Sequence, residues 1–313
     1  MKKVFIDGSA GTTGLRIAER LSRRKDIELL TLSDELRKDD KARAQMLNKA
    51  DIVFLCLPDD AARQAVAMVE NPDVCIIDTS TAHRTDGSWT YGFPEIADLR
   101  DKIRKSKRIA NPGCHASGFI ALVAPLVACG MLPKNANLSC FSLTGYSGGG
   151  KKMIAQYQDP ERNFLLESPR QYALSQNHKH LAEMVKFANL EKAPVFCPVV
   201  APYYSGMQVT VPISREMLSD KVAVNELGLV YRQYYGGKVV RFDCAAGESG
   251  FAAAGLFAGR DDMAVGVFGS AERAVLVATF DNLGKGASGA AIQNMNLVLG
   301  VDETTGLNIG DLT

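Results

Sequence analysis

The sequence lacks an excess of charge of either sign, because its 36 Lys and Arg residues are balanced by 35 Asp and Glu residues. Nucleic acids and anionic membrane surfaces attract strongly basic stripes, so the balance argues against both as partners. Long apolar runs are also missing, and none approaches the roughly 20 residues that a membrane span needs. In the opening stretch, MKKVFIDGSAGTTG, Asp7 and three glycines break the apolar pattern of a signal peptide. We therefore expect a cytoplasmic protein.

Paired cysteines are missing as well. The seven cysteines include no CxxC pair, and an odd number in a long chain does not suggest a disulfide framework. Cys114 differs from the others because turn residues and His115 surround it in NPGCHAS. With only four histidines in the chain, no set of metal ligands has a useful spacing, and no metal site is predicted. Four cysteines lie in apolar, strand-like runs and are expected to be inert: Cys56, Cys75, Cys140 and Cys197.

Over the first hundred residues, short apolar runs alternate with helical patterns. Continuous apolar strands separated by helices indicate a parallel sheet covered on both faces. We therefore predict an α/β protein that begins with a doubly wound, Rossmann-type domain. The predicted strands are KVFID (3–7), IELLTL (27–32), DIVFLCL (51–57) and VCIIDTS (74–80).

After Cys114 the strand candidates become longer and few helices separate them. Two helical segments, HLAEMVKFANL and VNELGLVYRQYYGG, accompany them. This pattern predicts a second, α+β domain with a mostly antiparallel sheet and helices on one side. The last long pattern, ASGAAIQNMNLVLG (287–300), predicts an amphipathic helix. The strand candidates span 137–150, 195–214, 238–243 and 263–270.

Three glycines follow the first strand in DGSAGTTG. Gly8 permits the tight turn, Gly11 lets the backbone approach a pyrophosphate, and Gly14 lets the next helix pack closely. The strand before and the helix after favour dinucleotide binding over a plain glycine-rich turn. The tip of the second strand favours NADP over NAD, with a solvated charged loop as the alternative. The tip offers a hydroxyl and two cations to a 2′-phosphate: Ser33, Arg37 and Lys38.

Cys114 stands where a long apolar helix is expected to begin, so free backbone N–H groups would point at its sulfur. Lowering a thiol pKa from about 8.5 to about 6.5 takes roughly 2.7 kcal/mol, and a helix N-terminus supplies about 2 at best. A proton-accepting partner is therefore required. The segment HKHLAE offers His178 and His180, and Glu183 is spaced to orient an imidazole. We favour His180 on its spacing to Glu183 and leave His178 as the alternative.

Six segments in order along nearly the whole chain carry a family resemblance. They are GSAGTTG, YGFPEI (91–96), NPGCHAS (111–117), GYSGGGKK (145–152), HKHLAE (178–183) and DNLGKGASGAAIQNMN (281–296). In these segments the chain resembles the shorter form of the N-acetyl-γ-glutamyl-phosphate reductase family. It is similar, more distantly, to aspartate-semialdehyde dehydrogenase and the phosphorylating glyceraldehyde-3-phosphate dehydrogenases. The resemblance implies an NADP-binding domain of residues 1–113 plus 286–313. It also implies a catalytic and oligomerisation domain of residues 114–285, in a homodimer or homotetramer.

The same resemblance implies a reaction of arginine biosynthesis, in which NADPH reduces N-acetyl-γ-glutamyl phosphate to N-acetylglutamate 5-semialdehyde and inorganic phosphate leaves. Cys114 is then the nucleophile, and its thioester accepts the hydride. Lys151 stands where the family commonly has arginine. A lysine would hold a phosphate as a point charge, without the paired hydrogen bonds of a guanidinium. Further cofactor contacts that the resemblance implies are Ala10, Thr12, Thr13, Ser147, Gly148, Asn282 and Gly284.

For the mechanism, we expect backbone N–H groups at the helix start and the Asn111 amide to hold the oxyanion. Arg84 is a candidate clamp for the substrate α-carboxylate, with a structural salt bridge as the alternative. Three other functions fit part of the pattern. They are an aspartate-semialdehyde dehydrogenase-type acyl-phosphate reductase, a cofactor-free cysteine hydrolase and a catalytically silent dinucleotide-binding sensor.

Overall fold

The computed structural model describes residues 1–220, 222–244 and 250–310. The strands are β1 (Lys2–Asp7), β2 (Ile27–Leu30), β3 (Ile52–Leu55), β4 (Cys75–Asp78), β5 (Thr90–Tyr91), β6 (Arg108–Ala110), β7 (Ser139–Gly145), β8 (Arg170–Gln171), β9 (Val195–Ala201), β10 (Met207–Ser214), β11 (Val240–Phe242), β12 (Met263–Gly269) and β13 (Arg273–Phe280). The helices are α1 (Thr12–Leu21), α2 (Asp40–Lys49), α3 (Asp59–Ala67), α4 (Leu99–Lys105), α5 (Cys114–Ala128), α6 (Gly150–Gln158), α7 (His180–Phe187), α8 (Leu227–Tyr234) and α9 (Gly289–Leu299).

The chain divides into two compact units. Among the described residues, the first contains Met1–Pro112 and Ala287–Leu307, and the second contains Gly113–Gly286 and residues 308–310. Asn308 was expected in the first domain, but it is bonded to Asp261 of the second unit. The Asp261 N–H donates to the Asn308 carbonyl, and the Asn308 N–H donates to the Asp261 carboxylate, both at 2.8 Å. No helix formed by the described residues combines the length and the apolar character that crossing a bilayer requires.

The first unit is built on a sheet with the order β2-β1-β3-β4-β6-β5, in which every pairing is parallel. Successive residues of a strand point to opposite faces, and the core follows this alternation. Val4 and Ile6 pack with α1, α4 and α9 on one face, whereas Phe5 packs with α2 and α3 on the other. The predicted doubly wound domain is confirmed.

The connections of this sheet determine where a ligand crevice can open. The chain passes from β1 through α1 to β2, and then through α2 back to β3 on the other side of β1. The strand order therefore reverses between β1 and β3, and doubly wound sheets bind ligands at the carboxyl ends of such strands. The glycine loop follows β1 directly and packs on the backbone of Cys56, just after β3.

The second unit is built on a sheet with the order β11-β12-β13-β10-β7-β9-β8. Two pairs, β7–β9 and β11–β12, are parallel, and the other four are antiparallel. The long apolar helix α5 packs on β10 and β13 and is flanked by α7 and α8. The predicted α+β domain with a mostly antiparallel sheet is confirmed.

Four details of the prediction are wrong. The strand candidate over 195–214 divides into β9 and β10. The strand expected over 137–150 ends at Gly145, and a 3₁₀ turn then leads into α6. Residues 273–280, which were not predicted as a strand, form β13 between β10 and β12. The last helix is buried on every side rather than amphipathic. Its polar side chains find partners inside the unit, since Asn294 donates to the Gly92 carbonyl at 2.9 Å and Asn296 to the Thr305 carbonyl at 2.9 Å.

Candidate active site

Helix α5 begins at Cys114, as predicted, and places this half-buried thiol in its first turn. Gly113 occupies the N-cap position and supplies no side-chain cap, and the first turn contains no acidic residue. The first N–H groups of a helix have no partner inside the helix, so their partial positive charge stabilises a thiolate or oxyanion at this end. Ser117 donates its N–H at 2.8 Å and its hydroxyl at 3.1 Å to the Gly113 carbonyl, which fixes the turn.

The second unit also gathers three imidazole rings beside the start of α5. The ring centroids of His178 and His180 are 4.7 Å apart, and each lies within 6 Å of His115, at 5.8 and 5.4 Å. The His115 Nδ1 atom lies 2.7 Å from the Ser142 hydroxyl, and its Nε2 atom lies 2.6 Å from the Tyr172 hydroxyl. The two histidines proposed from sequence therefore do reach the helix that Cys114 begins.

Burial controls the protonation of this cluster. Burial, and after it the charge of His178, lowers the pKa of His115 to about 3, so this ring is neutral at pH 7. Burial, and after it the charge of the Cys114 sulfur, raises the pKa of Tyr172 well above its usual range. Tyr172 therefore stays protonated and can donate to Nε2 of His115. The His115 tautomer that fits these contacts carries its hydrogen on Nδ1 and donates to Ser142.

Glu183 has a contact that the sequence did not suggest. This side chain is almost completely buried, and its Oε2 atom accepts the N–H of Gly113 at 3.0 Å. The carboxylate therefore anchors the N-cap residue of α5 to α7. Its predicted role in orienting the His180 imidazole remains a prediction.

The glycine-rich segment after β13 lies against Cys114. A methyl group built on Gly286 would lie 2.8 Å from the Cys114 Cβ atom. A π-helical turn, Gly284–Ser288, carries this segment into α9. Asn282 is buried, with its Nδ2 atom donating to the Ser147 hydroxyl at 3.0 Å and its Oδ1 atom accepting the Gly206 N–H at 3.0 Å. The structure thus engages Asn282 in holding two loops, whereas the sequence assigned it to the nicotinamide.

The remaining second-unit candidates lie in the loop before α6. Ser147 is buried against Asn282, and a methyl group on Gly148 would lie 3.4 Å from the Asn282 amide nitrogen. Lys151 is exposed in the first turn of α6. An exposed lysine at a helix start can attract an anion, but no described side chain fixes its position.

The glycine loop of the first unit fits a dinucleotide phosphate. Gly8 has φ +86°, and a methyl group there would collide with the Cys56 carbonyl. A methyl group on Gly14 would lie 2.5 Å from the Gly8 carbonyl, so the loop and α1 pack too closely for a side chain. At Gly11 the nearest protein atom would be 3.5 Å away, an ordinary contact, so protein packing alone does not require glycine there. The Thr12 hydroxyl is buried and finds no hydrogen-bond partner in the described part of the chain.

Other cofactor candidates stand around this loop. Ala10 and Thr13 are half-buried within it. Ser33, Arg37 and Lys38 are exposed beyond β2, and Arg37 pairs with Asp34 at 3.0 Å. The sequence did not indicate that Asp7, at the end of β1, would pair with Arg43 of α2 at 2.9 Å.

Two predicted site residues of the first unit are engaged by backbone groups. The Asn111 Nδ2 atom donates to the Ala287 carbonyl at 3.0 Å, and its Oδ1 atom accepts from Asn294 at 3.2 Å. Asn111 is 1% exposed, so the geometry gives no support to its predicted role at the oxyanion. The Arg84 Nη2 atom donates to the Thr79 carbonyl at 3.0 Å, a contact that holds its own loop.

Three of the four strand cysteines behave as predicted. Burial raises the pKa of Cys56 and of Cys75 to about 12, and it raises the pKa of Cys140 further. These thiols are protonated at neutral pH and unreactive. Within residues 1–220, 222–244 and 250–310, no group of three or more His, Cys, Asp or Glu side chains is arranged to hold a metal ion.

Comparison with known proteins agrees with this fold. Residues 3–106 match the family model described as semialdehyde dehydrogenase, NAD binding domain, and residues 114–282 match the one described as semialdehyde dehydrogenase, dimerisation domain. The aspartate semialdehyde dehydrogenase II of Vibrio cholerae, solved in complex with ASA, has a TM-score of 0.72 at 16% identity, covering 96% of this chain and 98% of that one. Fold and motifs together define an oxidoreductase of the semialdehyde dehydrogenase class with a nicotinamide-cofactor domain and a dimerisation domain.

Two relatives that match over nearly the full length identify the family within this class. The N-acetyl-γ-glutamyl-phosphate reductase of Allorhizobium ampelinum is 45% identical over 306 residues, covering 95% of this chain and 98% of its own. N-acetyl-γ-glutamyl-phosphate reductase 2 of Nostoc sp. is 43% identical over 318 aligned residues, covering 97% and 99%. The chain belongs to the N-acetyl-γ-glutamyl-phosphate reductase family.

Proposed function

We propose that this chain reduces N-acetyl-γ-glutamyl phosphate with NADPH to N-acetylglutamate 5-semialdehyde and phosphate, a step of arginine biosynthesis. The observation that carries the proposal is the position of Cys114. This thiol lies in the first turn of α5, against Gly286, next to a cluster of three imidazoles. Relatives 41–45% identical over nearly the full length bear the name of this activity, which favours it over the aspartate-semialdehyde alternative.

In the mechanism that follows, the Cys114 sulfur attacks the acyl carbon and the backbone N–H groups at the start of α5 hold the oxyanion. Inorganic phosphate leaves, and a thioester remains on the cysteine. When bound, NADPH supplies the hydride that reduces this thioester. The resulting thiohemiacetal collapses to the aldehyde, and an imidazole takes up the proton that the thiol loses and later returns it. We assign this proton transfer to His180, with His178 as the alternative.

The first unit is proposed to hold the cofactor through the turn at Gly8, Gly11 and Gly14 and the first N–H groups of α1. The buried Thr12 hydroxyl fits a phosphate oxygen as its missing partner. Ser33, Arg37 and Lys38 would bind a 2′-phosphate and thereby favour NADP over NAD. Replacing Arg37 and Lys38 together by Gln should weaken NADPH binding by on the order of 30-fold and leave NADH binding unchanged, because two charged contacts of about 1 kcal/mol each contribute about 2 kcal/mol.

The decisive assay runs the reaction backwards. The protein is given NADP, phosphate and either N-acetylglutamate semialdehyde or aspartate semialdehyde, and NADPH formation is followed by absorbance. We expect phosphate-dependent turnover with the acetylated aldehyde. The Cys114→Ser variant should bind NADPH normally and be inactive. Faster turnover of aspartate semialdehyde, or full activity of the serine variant, contradicts the proposal.

We further propose that the second unit forms a homodimer through the sheet face opposite α5. Phe141, Val195 and Val275 are 45%, 56% and 38% exposed, on a sheet that matches a dimerisation-domain model. Exposed apolar surface of this kind is typical of protein interfaces. Light scattering of the Phe141→Lys variant should show a monomer, and an unchanged dimer argues against this face.

A further inference from the structure

Arg170, the first residue of β8, is a half-buried arginine with an incomplete set of partners. Its Nη2 atom donates to the Tyr157 hydroxyl at 3.0 Å, and its guanidinium carbon lies 5.5 Å from the centre of the same ring. Its Nε atom is enclosed by protein and has no hydrogen-bond partner among the residues that the structure describes. Within this same set of residues, the guanidinium forms no ion pair with any Asp or Glu.

A charged group in this situation is costly to retain. A buried donor without an acceptor costs about 1–3 kcal/mol, more when it is charged, and buried charges are normally paired. The aromatic face of Tyr157 offsets part of this cost, but it accepts no hydrogen bond from Nε. Because Arg170 as a whole is only half-buried, an edge of its rigid, planar guanidinium other than the enclosed Nε can meet an anion from outside the chain. Such an edge matches the geometry of a carboxylate.

The sheet places Arg170 on the same side as the cysteine. Arg170 pairs with Val200 on β9, and Val200 pairs with Thr144 on β7; both of these side chains are buried on the side that carries α5. Tyr172 follows two residues after Arg170 and extends the ladder, since its N–H bonds to the Pro198 carbonyl at 3.0 Å. Residues two apart on a strand face the same side at a spacing of roughly 7 Å. Arg170 therefore lies one pleat from Tyr172, whose hydroxyl contacts His115, the residue after Cys114.

The chemistry of the substrate fits this spacing. In N-acetyl-γ-glutamyl phosphate, four carbon–carbon bonds separate the acyl carbon from the α-carboxylate carbon, a span of about 5 Å when extended. A substrate with its acyl carbon at the Cys114 sulfur can therefore present a carboxylate within reach of the next pleat. Arg84, the clamp expected from sequence, donates from Nη2 to the Thr79 carbonyl and is the competing candidate that the test below includes.

We propose that Arg170, oriented by Tyr157, binds the α-carboxylate of the substrate and selects for substrates that carry one. This inference rests on the proposed function, because it assumes that Cys114 attacks the other end of the same molecule. Arg170 is thus a specificity-determining residue of the second unit.

The test compares two aldehydes in the reverse reaction, with NADP and phosphate. One is N-acetylglutamate semialdehyde, and the other is 4-acetamidobutanal, the same molecule without its α-carboxylate. The wild-type enzyme should prefer the first by on the order of 100-fold in kcat/KM, the size of a buried charge-assisted contact. Arg170→Met should lose about this factor with the first aldehyde and change less than about threefold with the second. The preference should therefore disappear.

Three further variants separate binding from folding. Arg162→Met removes the same charge from an exposed residue nearby and should alter neither substrate. Arg170→Lys keeps the charge and should retain part of the preference, even where the Met variant folds poorly. Tyr157→Phe removes the hydroxyl that orients the guanidinium and should weaken only the carboxylated substrate, by about threefold to tenfold.

Equal losses with both aldehydes in Arg170→Met and Arg170→Lys would make the residue structural and overturn the proposal. A collapse of the preference in Arg84→Met, with Arg170→Met unaffected, would assign the carboxylate to Arg84 instead. Failure of the proposed function is distinguishable, because the wild type would then show no phosphate-dependent turnover of N-acetylglutamate semialdehyde before any variant is made. In that case the carboxylate assignment fails with it.

Discussion

Gly286 lies directly on Cys114, so that any side chain at position 286 would enter the space of the cysteine. A methyl group on Gly286 would stand 2.8 Å from the Cys114 Cβ atom and 3.4 Å from its Cα atom. The glycine cannot easily retreat, because its N–H is bonded to the Asp281 carbonyl at 3.0 Å and Asp281 is itself fully buried. The absence of a side chain at 286 therefore sets the position of the thiol.

Replacing Gly286 by Ala should reduce turnover at least tenfold. Overpacking of this kind costs about 1–3 kcal/mol, and small displacements of a reacting atom are expensive in rate. Turnover, NADPH binding and the rate of Cys114 alkylation should be measured together, with NADPH binding expected to be unchanged. Gly236→Ala, where no atom lies within 4 Å of the added methyl group, is the matched control. Normal turnover of the Gly286 variant would show that the loop adapts.

Gly11 offers a test of the cofactor loop that is independent of folding. A methyl group fits there at 3.5 Å from the nearest protein atom, so Gly11→Ala should melt at the temperature of the wild type when no cofactor is present. The methyl group would occupy the space where we place the pyrophosphate, and NADPH affinity should fall by on the order of tenfold or more. Fluorescence titration and thermal melting measure the two effects. Gly87→Ala, with open space around it, controls for the backbone change. Unaltered affinity would place the phosphates elsewhere.

The buried pair between Asp7 and Arg43 should contribute strongly to stability. Asp7 raises the pKa of Arg43, mainly through their hydrogen bond, and both side chains are nearly buried. Arg43→Met would leave an uncompensated carboxylate at the end of β1 and should cost about 3–5 kcal/mol of unfolding free energy. The double variant Asp7→Asn, Arg43→Met should recover most of this loss, as measured by urea denaturation. Additive losses in the double variant would show that the two residues act independently.

The doubly wound first domain could be predicted from sequence because its signals are local. Each buried strand is a continuous apolar run, and glycines at fixed spacing follow the first of them. The helix start at Cys114 was also predictable, since Asn-Pro-Gly precedes a long apolar segment. Strand β13 was missed even though its sequence, RAVLVATF, is rich in β-branched residues. Its place between β10 and β12 depends on partners distant in sequence.

The contacts around the candidate site are long-range, and this is why sequence reasoning located its residues better than it assigned their roles. Glu183 was predicted to orient the imidazole of His180, three residues earlier. Its carboxylate accepts the N–H of Gly113, which is 70 positions away. The pairing of His115 with Tyr172 spans 57 positions. A local pattern can indicate which residues carry chemistry, but only the sheet register brings these partners together.

His115 should make the stability of the protein sensitive to mild acid. Its pKa is about 3 in the folded state and 6.5 as the ordinary value. Its stabilising contribution is complete above pH 6.5 and is lost as the pH falls below that value, because only the unfolded chain then binds the proton. Between pH 7 and pH 5 the loss of unfolding free energy is about 2 kcal/mol.

Urea denaturation at pH 7 and at pH 5 should show this loss in the wild type and in Ser142→Ala, which keeps the imidazole. In His115→Gln the difference between the two pH values should shrink by about that amount. An equal loss in all three proteins would mean that His115 takes up its proton at nearly the same pH in the folded and the unfolded chain.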